Sequence, residues 1–267
     1  IISEFLIIFS EFNRNIFKKN GNFLIKKTLE LAYKFAAEPE LINEENENND
    51  YPLFDIGERI IESFSILFQP KIIFPICVEI TKNFISSNDV NKIKSAIISF
   101  GLIAEGCSDI LKKKLSDIID LIVSKFTEYN STSTNEAHKK IINTACIISI
   151  DRLGEFCYPN ILDHQDKIIP LIMFGLSDQN IQNNNEDILH KSIICLNFLC
   201  KNDELDIGDY LEKILPNLIY LINSKNQMIQ RDSINVLASI LENTKNLKPE
   251  ILQKILESCK FLISNKI

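Results

Sequence analysis

The sequence contains few of the residues that build turns and β-sheets. Only seven Gly and eight Pro occur in 267 residues, whereas sheet-rich folds use both freely in their turns. Hydrophobic residues make up 45% of the chain and charged residues 24%, which is typical of a globular protein with a sizeable core. The composition therefore predicts helices joined by short polar loops.

The cysteines do not indicate a disulfide framework. Their number is seven, and no two of them form a CxxC pair. This pattern is typical of reduced thiols in the cytosol or nucleus. Most of them, such as Cys77, Cys146 and Cys195, lie in apolar segments, so we expect small core residues rather than ligands or nucleophiles.

The balance of charge is acidic, with a net charge of −7 and a pI near 5.2. Binding to nucleic acid needs a concentrated basic face, so nucleic acid is not expected as a direct partner. A basic protein suits this field better.

Membrane-spanning and secretion signals are also missing from the sequence. No stretch approaches the roughly 18 to 20 apolar residues that span a bilayer, and the opening segment has acids where a signal peptide is basic. The sequence therefore predicts no membrane association. Since the chain begins at Ile1, without Met and inside a predicted helix, we expect a fragment of a longer protein.

Motifs for catalysis or cofactor binding are lacking. The three His (His138, His164 and His190) lie outside any catalytic motif. Gly101 and Gly106 have the spacing of a phosphate-binding loop, but Cys107 follows where such a loop needs Lys. No pair of Cys or His completes a zinc site. We predict no enzyme, no metal and no cofactor, although a pocket gathering His and carboxylates would support an unrecognised active site.

Apolar residues recur at three- and four-residue steps, as on one face of a helix. Pro75, Asp120, Pro170 and Pro216 occupy equivalent places in four successive segments, with spacings of 45, 50 and 46 residues. Two helices in each unit of this length are typical of HEAT repeats, in which stacked helix pairs share one core. We expect the recurring Pro near the first turn of each first helix, where a missing N–H costs little.

We therefore predict an all-α fold, a HEAT-repeat α-α superhelix resembling armadillo arrays, with about six helix pairs in a single domain over residues 1–267. First helices line the convex side in this prediction, and second helices line the concave side. The predicted helices span residues 1–15, 21–36, 52–68, 71–86, 90–105, 109–127, 135–155, 166–177, 186–200, 208–223, 228–242 and 249–264.

Two polar segments interrupt the repeats, an acidic loop at 38–51 and an Asn-rich loop at 177–187. The first has six acids and no basic residue, so its charges repel one another and keep it solvated. It is either a simple loop expansion or an acidic strap for a basic partner. The candidate contacts are Glu44, Glu45, Glu47 and Asp50 in this loop and Asp151 and Glu155 near the end of one second helix.

Several motifs follow one another in a fixed order between Phe35 and Leu176. An acidic loop is followed by FQPKIIFPICVEI at 68–80, FGLIAEGCSDIL at 100–111 and LGEFCYPNI at 153–161. In this order they resemble the central repeats of the importin-beta family of nuclear transport receptors, especially the branch with importin four and importin five. The AEGCSD run, Ala104 to Asp109, is the most specific piece.

This resemblance implies a receptor, shuttling between cytoplasm and nucleus, that imports basic cargo such as histones or ribosomal proteins and is regulated by the GTPase Ran. It implies contacts with phenylalanine-glycine nucleoporins, and Ran binding mainly through repeats outside this segment. Ile142-Asn143 and Ile229-Gln230 replace the Val-Arg pair that often opens a HEAT second helix. The alternative is a HEAT scaffold subunit of another complex, either a phosphatase or a chromosome-associated assembly.

Overall fold

The computed structural model describes residues 21–39, 52–183, 185–200, 208–243 and 249–265. Within these ranges the chain forms helices and turns, with no strand. The α-helices are α1 (Gly21–Ala36), α2 (Leu53–Leu67), α3 (Pro70–Ile85), α4 (Val90–Leu102), α5 (Ala104–Thr132), α6 (Glu136–Phe156), α7 (Gln165–Gly175), α8 (Asp178–Gln182), α9 (Glu186–Cys200), α10 (Gly208–Leu221), α11 (Gln227–Asn243) and α12 (Pro249–Asn265). A 3-10 helix spans Asn160–His164. The all-α HEAT-repeat fold class is confirmed.

The helix bounds of the described residues follow the predicted map to within three residues, apart from α5, which extends five residues beyond each end of the prediction, and one short helix. The helix predicted at 1–15 lies outside the described residues. In the Asn-rich segment predicted as a loop, α8 forms instead. The Asn180 side chain is buried and donates hydrogen bonds to the carbonyl of Phe174 (2.7 Å) and to Ser177 Oγ. The prediction of a simple loop was wrong here because Asn side chains bond well to neighbouring backbone and can therefore pack.

The chain divides into two compact units, Ile1–Ile161 and Leu162–Ile267. In the first unit α4 is the central helix, since it packs against α1, α2, α3, α5 and α6. Every residue from Ile93 to Leu102 is buried. In the second unit α9 packs against α7, α8 and α11, and α10 packs against α11 and α12. Second helices therefore lie side by side within each unit, as α4 beside α6 and α9 beside α11.

The AEGCSD run makes the sharp connection between α4 and α5. Ala104 and Cys107 are fully buried, and Cys107 leaves helical geometry, with φ −117° and ψ 15°. A Cβ placed on Gly106 would lie 1.9 Å from the carbonyl oxygen of Ser65 in α2. Only glycine allows α5 and α2 to approach this closely, so Gly106 is required for this contact.

Buried hydroxyl groups join three helices of the first unit. The Tyr33 hydroxyl of α1 lies 3.1 Å from Thr81 Oγ1 of α3, and Thr81 Oγ1 lies 3.1 Å from Ser99 Oγ of α4. Ser95 Oγ of α4 donates to the carbonyl of Tyr33. Burial raises the pKa of Tyr33 well above its usual value, so its hydroxyl stays protonated. Buried polar groups that bond to one another in this way fix the register of the helices.

The recurring prolines lie deeper than predicted. Pro75, Pro170 and Pro216 are in the interior of α3, α7 and α10, beyond the first turn. All three side chains are exposed, so the carbonyl that loses its helical partner can bond to water instead. The first turn of α3 has a separate proline, Pro70.

No helix among the described residues is both long and apolar enough to cross a lipid bilayer.

Candidate functional site

The second helices of the first unit form the surface on which two of the predicted contacts lie. Asp151 and Glu155 are four residues apart on α6 and therefore share one face of the helix. Asp151 is half-buried and interacts with another group, whereas Glu155 is exposed. The other four predicted contacts, Glu44, Glu45, Glu47 and Asp50, lie outside the described residues.

Arg152, which lies between these two carboxylates in the sequence, links three helices. Its guanidinium Nη1 donates to Oε1 of Glu62 on α2 in an ion pair. To reach α2 the side chain passes over α4 at Gly101, where a Cβ added to that glycine would be 3.0 Å from Arg152 Cβ. The absence of a side chain at Gly101 provides the space for this crossing.

Sequence reasoning missed Glu62, Gly101 and Arg152 as parts of one site. A partial signal was present, because a glycine inside a helix indicates the close approach of another group. The partner could not be found from the sequence, since Glu62 and Arg152 are 90 residues apart.

A buried lysine of the same unit also contacts α2. Lys94 of α4 is only 7% exposed, and its Nζ lies 4.9 Å from the centroid of the Phe54 ring on α2. A cation over an aromatic face is stabilised by the ring quadrupole. Both α4 and α6 therefore send a basic side chain toward α2.

The residues that replace the usual Arg of the HEAT second helix bond within their own repeat. Asn143 of α6 exchanges two hydrogen bonds with Asn130 of α5, at 2.9 and 3.1 Å. Gln230 of α11 donates to the carbonyl of Ile222, just after α10. Each therefore holds a second helix to the first helix before it.

The histidine of α9 makes a polar contact with α11. His190 Nε2 lies 2.8 Å from Oδ2 of Asp232 on α11. Hydrogen bonds from Arg231 and His190 hold the pKa of Asp232 below its usual value, although burial opposes this shift.

Further hydrogen bonds join α9 to α11 and to the residue just before α11. They are Asn226 with Glu186, Ser239 with Asn197, and Asn243 with the carbonyl of Cys200. These bonds form a polar seam between two second helices.

Thiol and metal chemistry find no support within the described ranges. Six cysteines are free and buried, which confirms the expectation of core residues: Cys77, Cys107, Cys146, Cys157, Cys195 and Cys200. Burial raises the pKa of Cys77 to about 12 and that of Cys157 to about 11, so neither is a thiolate at neutral pH. No group of His, Cys, Asp or Glu in the described residues could hold a metal ion.

The acidic surface, defined here as Glu62, Asp151 and Glu155 around Arg152, has three carboxylates and one guanidinium. None of these four described residues is a nucleophile with a neighbouring base. Carboxylates on a protein surface attract cations over about a Debye length. The arrangement is therefore able to bind basic groups.

Comparison with known proteins identifies relatives of this chain. The family model described as Stalled ribosome sensor GCN1-like, HEAT repeats, matches residues 94–265, which is more than half of the chain. Importin subunit beta-3 of Saccharomyces cerevisiae is 19% identical over 251 residues, covering 91% of this chain and 22% of that protein. The chain thus spans less than a quarter of the length of this relative.

Two solved structures have the same fold. Karyopherin Kap121p bound to the SUMO protease Ulp1p matches 98% of this chain and 25% of its own, with TM-score 0.75 and 17% identity. Kap121p bound to RanGTP matches 91% and 24%, with TM-score 0.69 and 19% identity. The branch with importin four and importin five stays a prediction. The chain therefore belongs to the family of GCN1-like HEAT repeats, and its resemblance to the importin-beta family, indicated by the sequence, is confirmed.

Proposed function

We propose that this chain is part of a nuclear transport receptor that binds basic protein cargo of the histone or ribosomal-protein type. In this proposal the receptor shuttles between cytoplasm and nucleus, and Ran regulates it mainly through repeats outside this segment. Nucleoporins with phenylalanine-glycine repeats are its partners at the pore.

The observation that most supports this proposal is the acidic surface on the second helices of the first unit. Asp151 and Glu155 lie on one face of α6, beside the ion pair of Arg152 with Glu62. The chain as a whole has a net charge of −7. Both the local carboxylates and the overall field therefore favour a cationic partner.

The relatives support the class of receptor. The names of the similar structures describe Kap121p bound to Ulp1p, to Pho4p, to Nup53p and to RanGTP. Several different proteins and the GTP-bound state of Ran are thus partners of a relative, as the proposal requires for this chain. The relatives are receptors rather than enzymes, which is consistent with the lack of a catalytic motif in this sequence.

Binding of a fluorescent peptide of alternating lysine and serine tests the cargo class. We expect binding at about 0.05 M salt that weakens severalfold at about 0.15 M, because salt screens exposed charges. Asp151→Asn and Glu155→Gln together weaken binding, by between about 1.5-fold and 5-fold for each carboxylate. Fluorescence anisotropy gives both affinities.

A matched control makes the same change of charge elsewhere. Glu250 and Glu257 are exposed on α12 of the second unit, and their replacement by Gln is expected to leave the affinity nearly unchanged. Binding that is equal at both salt concentrations, or equally weakened by the two pairs of substitutions, would contradict a basic cargo bound at the acidic surface.

A HEAT scaffold subunit is the second candidate function, and the match to GCN1-like HEAT repeats supports it. Such a scaffold holds a folded partner and ignores basic peptides and nucleoporin repeats. A pull-down with immobilised phenylalanine-glycine repeats separates the two candidates, because only the transport receptor is retained.

A further inference from the structure

The side chain of Arg152 already occupies part of the acidic surface. It leaves α6, crosses α4 at Gly101 and ends on the carboxylate of Glu62 in α2. The Cβ and Cγ of Arg152 thus lie against Gly101, and the guanidinium at the end of the side chain lies on Glu62. A cation of this kind is also what the proposed cargo would supply.

The contact between Arg152 and Glu62 is accessible to water. The side chain of Arg152 is 34% exposed and that of Glu62 is 27% exposed. Ion pairs at this level of exposure contribute little net stability, because holding two long side chains in one geometry costs conformational entropy. Another cation can therefore replace Arg152 at Glu62 without a large loss to the fold.

Two other basic side chains of the same unit are engaged with other groups. Lys94 of α4 is buried against the Phe54 ring. Arg59 on α2 is bound to Asp55 one turn earlier, at 3.0 Å. When Arg152 moves away, Glu62 loses the cation that this structure shows on it, and the local negative potential increases.

We propose that Arg152 is an internal competitor that occupies Glu62 until a basic side chain of the partner displaces it. This inference rests on the proposed function and adds a regulatory contact to the same surface. The internal cation lowers the affinity for weakly basic segments, since they must release Arg152 before they gain Glu62. A segment with several basic residues gains enough from Asp151 and Glu155 to do so.

Substitution of Arg152 tests the proposal with the lysine-serine peptide. We expect Arg152→Gln to bind it more tightly than the original chain, by between about 1.5-fold and 5-fold, the range for one exposed ion pair. Arg152→Lys keeps a cation with fewer donors and should show a smaller gain. Adding Glu62→Gln to Arg152→Gln should abolish the gain, because the released carboxylate is then missing.

Arg231→Gln in the second unit is the matched control. Arg231 also pairs with a carboxylate, Asp232, and is 65% exposed, so its loss changes the net charge equally. We expect little change in affinity for this variant. Circular dichroism and thermal melting verify that each variant is folded, and Arg152→Lys serves as the measurement if Arg152→Gln does not fold.

The outcomes separate the inference from the proposed function. If the original chain binds the peptide and Arg152→Gln binds it equally or more weakly, the internal competitor is ruled out while the transport proposal stands. An equal gain for Arg231→Gln would also overturn the competitor, because net charge alone would then explain the effect. If neither the original chain nor Arg152→Gln binds, both proposals fail.

Discussion

Glycine has its clearest role in this chain at Gly106. Its Cα lies so near to α2 that a methyl group would overlap the carbonyl of Ser65. The same residue lies in the first turn of α5, within the run that resembles the importin-beta family. A feature that served as a family signature is thus a requirement of close helix packing.

We predict that Gly106→Ala destabilises the fold by about 1–3 kcal/mol, as expected when a core is overpacked. Gly101→Ala is the matched control, because its new methyl group would lie 3.0 Å from Arg152 Cβ and 3.2 Å from Ser149 Cα, whereas that of Gly106→Ala would lie 1.9 Å from the carbonyl oxygen of Ser65. The better helix propensity of Ala, about 0.5–1 kcal/mol, offsets much of that smaller strain. Urea denaturation followed by circular dichroism measures both. Equal losses would contradict the steric explanation.

At the level of single residues the sequence predicted burial better than it predicted partners. The cysteines in apolar segments are buried, as expected. Arg152 and Glu62, by contrast, come together only because α2, α4 and α6 lie side by side. A contact between residues so distant in the chain depends on the stacking of repeats, which periodicity alone does not specify.

Helix α6 shows how an element of the repeat begins. Asn135 precedes it, and the side-chain Oδ1 accepts hydrogen bonds from the backbone N–H groups of Ala137 (3.0 Å) and His138 (3.3 Å). These bonds satisfy donors that have no partner within the helix. The start of α6 is therefore fixed by a side chain as well as by packing.

We predict that Asn135→Ala destabilises the first unit by about 0.5–2 kcal/mol, the usual cost of losing such a cap. Asn135→Asp is the control, because its carboxylate accepts the same two bonds and should retain stability. Thermal or urea denaturation provides the comparison. Equal stability of the Ala and Asp variants would show that packing alone sets the start of α6.

Among the elements, the longer helices could be predicted because their apolar stripes repeat over several turns. The short helix α8 could not, since its five residues are too few to show a period. The interior prolines were misplaced for a related reason. A proline is usually tolerated near a helix start, but Pro75, Pro170 and Pro216 are accommodated by their exposure to water.

At the scale of the whole molecule, the chain forms two compact units, and each has its own internal contacts. Gly106 contacts α2, whereas Asn226 precedes α11 and donates to Glu186 of α9 at 2.8 Å. The two residues share no contacting residue among these interactions. Repeat proteins sum local and nearest-neighbour contributions to their stability.

We predict that the losses from Gly106→Ala and Asn226→Ala add to within about 0.3–0.5 kcal/mol in the double variant. Gly106→Ala with Gly57→Ala is the contrasting pair, because both substitutions affect the position of α2. Gly57 lies on α2 and its Cβ would clash with α1, whereas the Cβ of Gly106 would clash with α2 itself. This second pair is expected to be non-additive. Urea denaturation of the single and double variants measures the free energy of unfolding of each. Strong coupling in the first pair would contradict the prediction.

The enclosure of α4 by five other helices has a consequence for the history of the sequence. From Ile93 to Leu102 no residue reaches the surface, so almost any replacement there must be matched by a change in a neighbouring helix. Exposed positions accept replacements singly and therefore drift faster. We therefore expect these ten residues to change more slowly among related sequences than the exposed positions do.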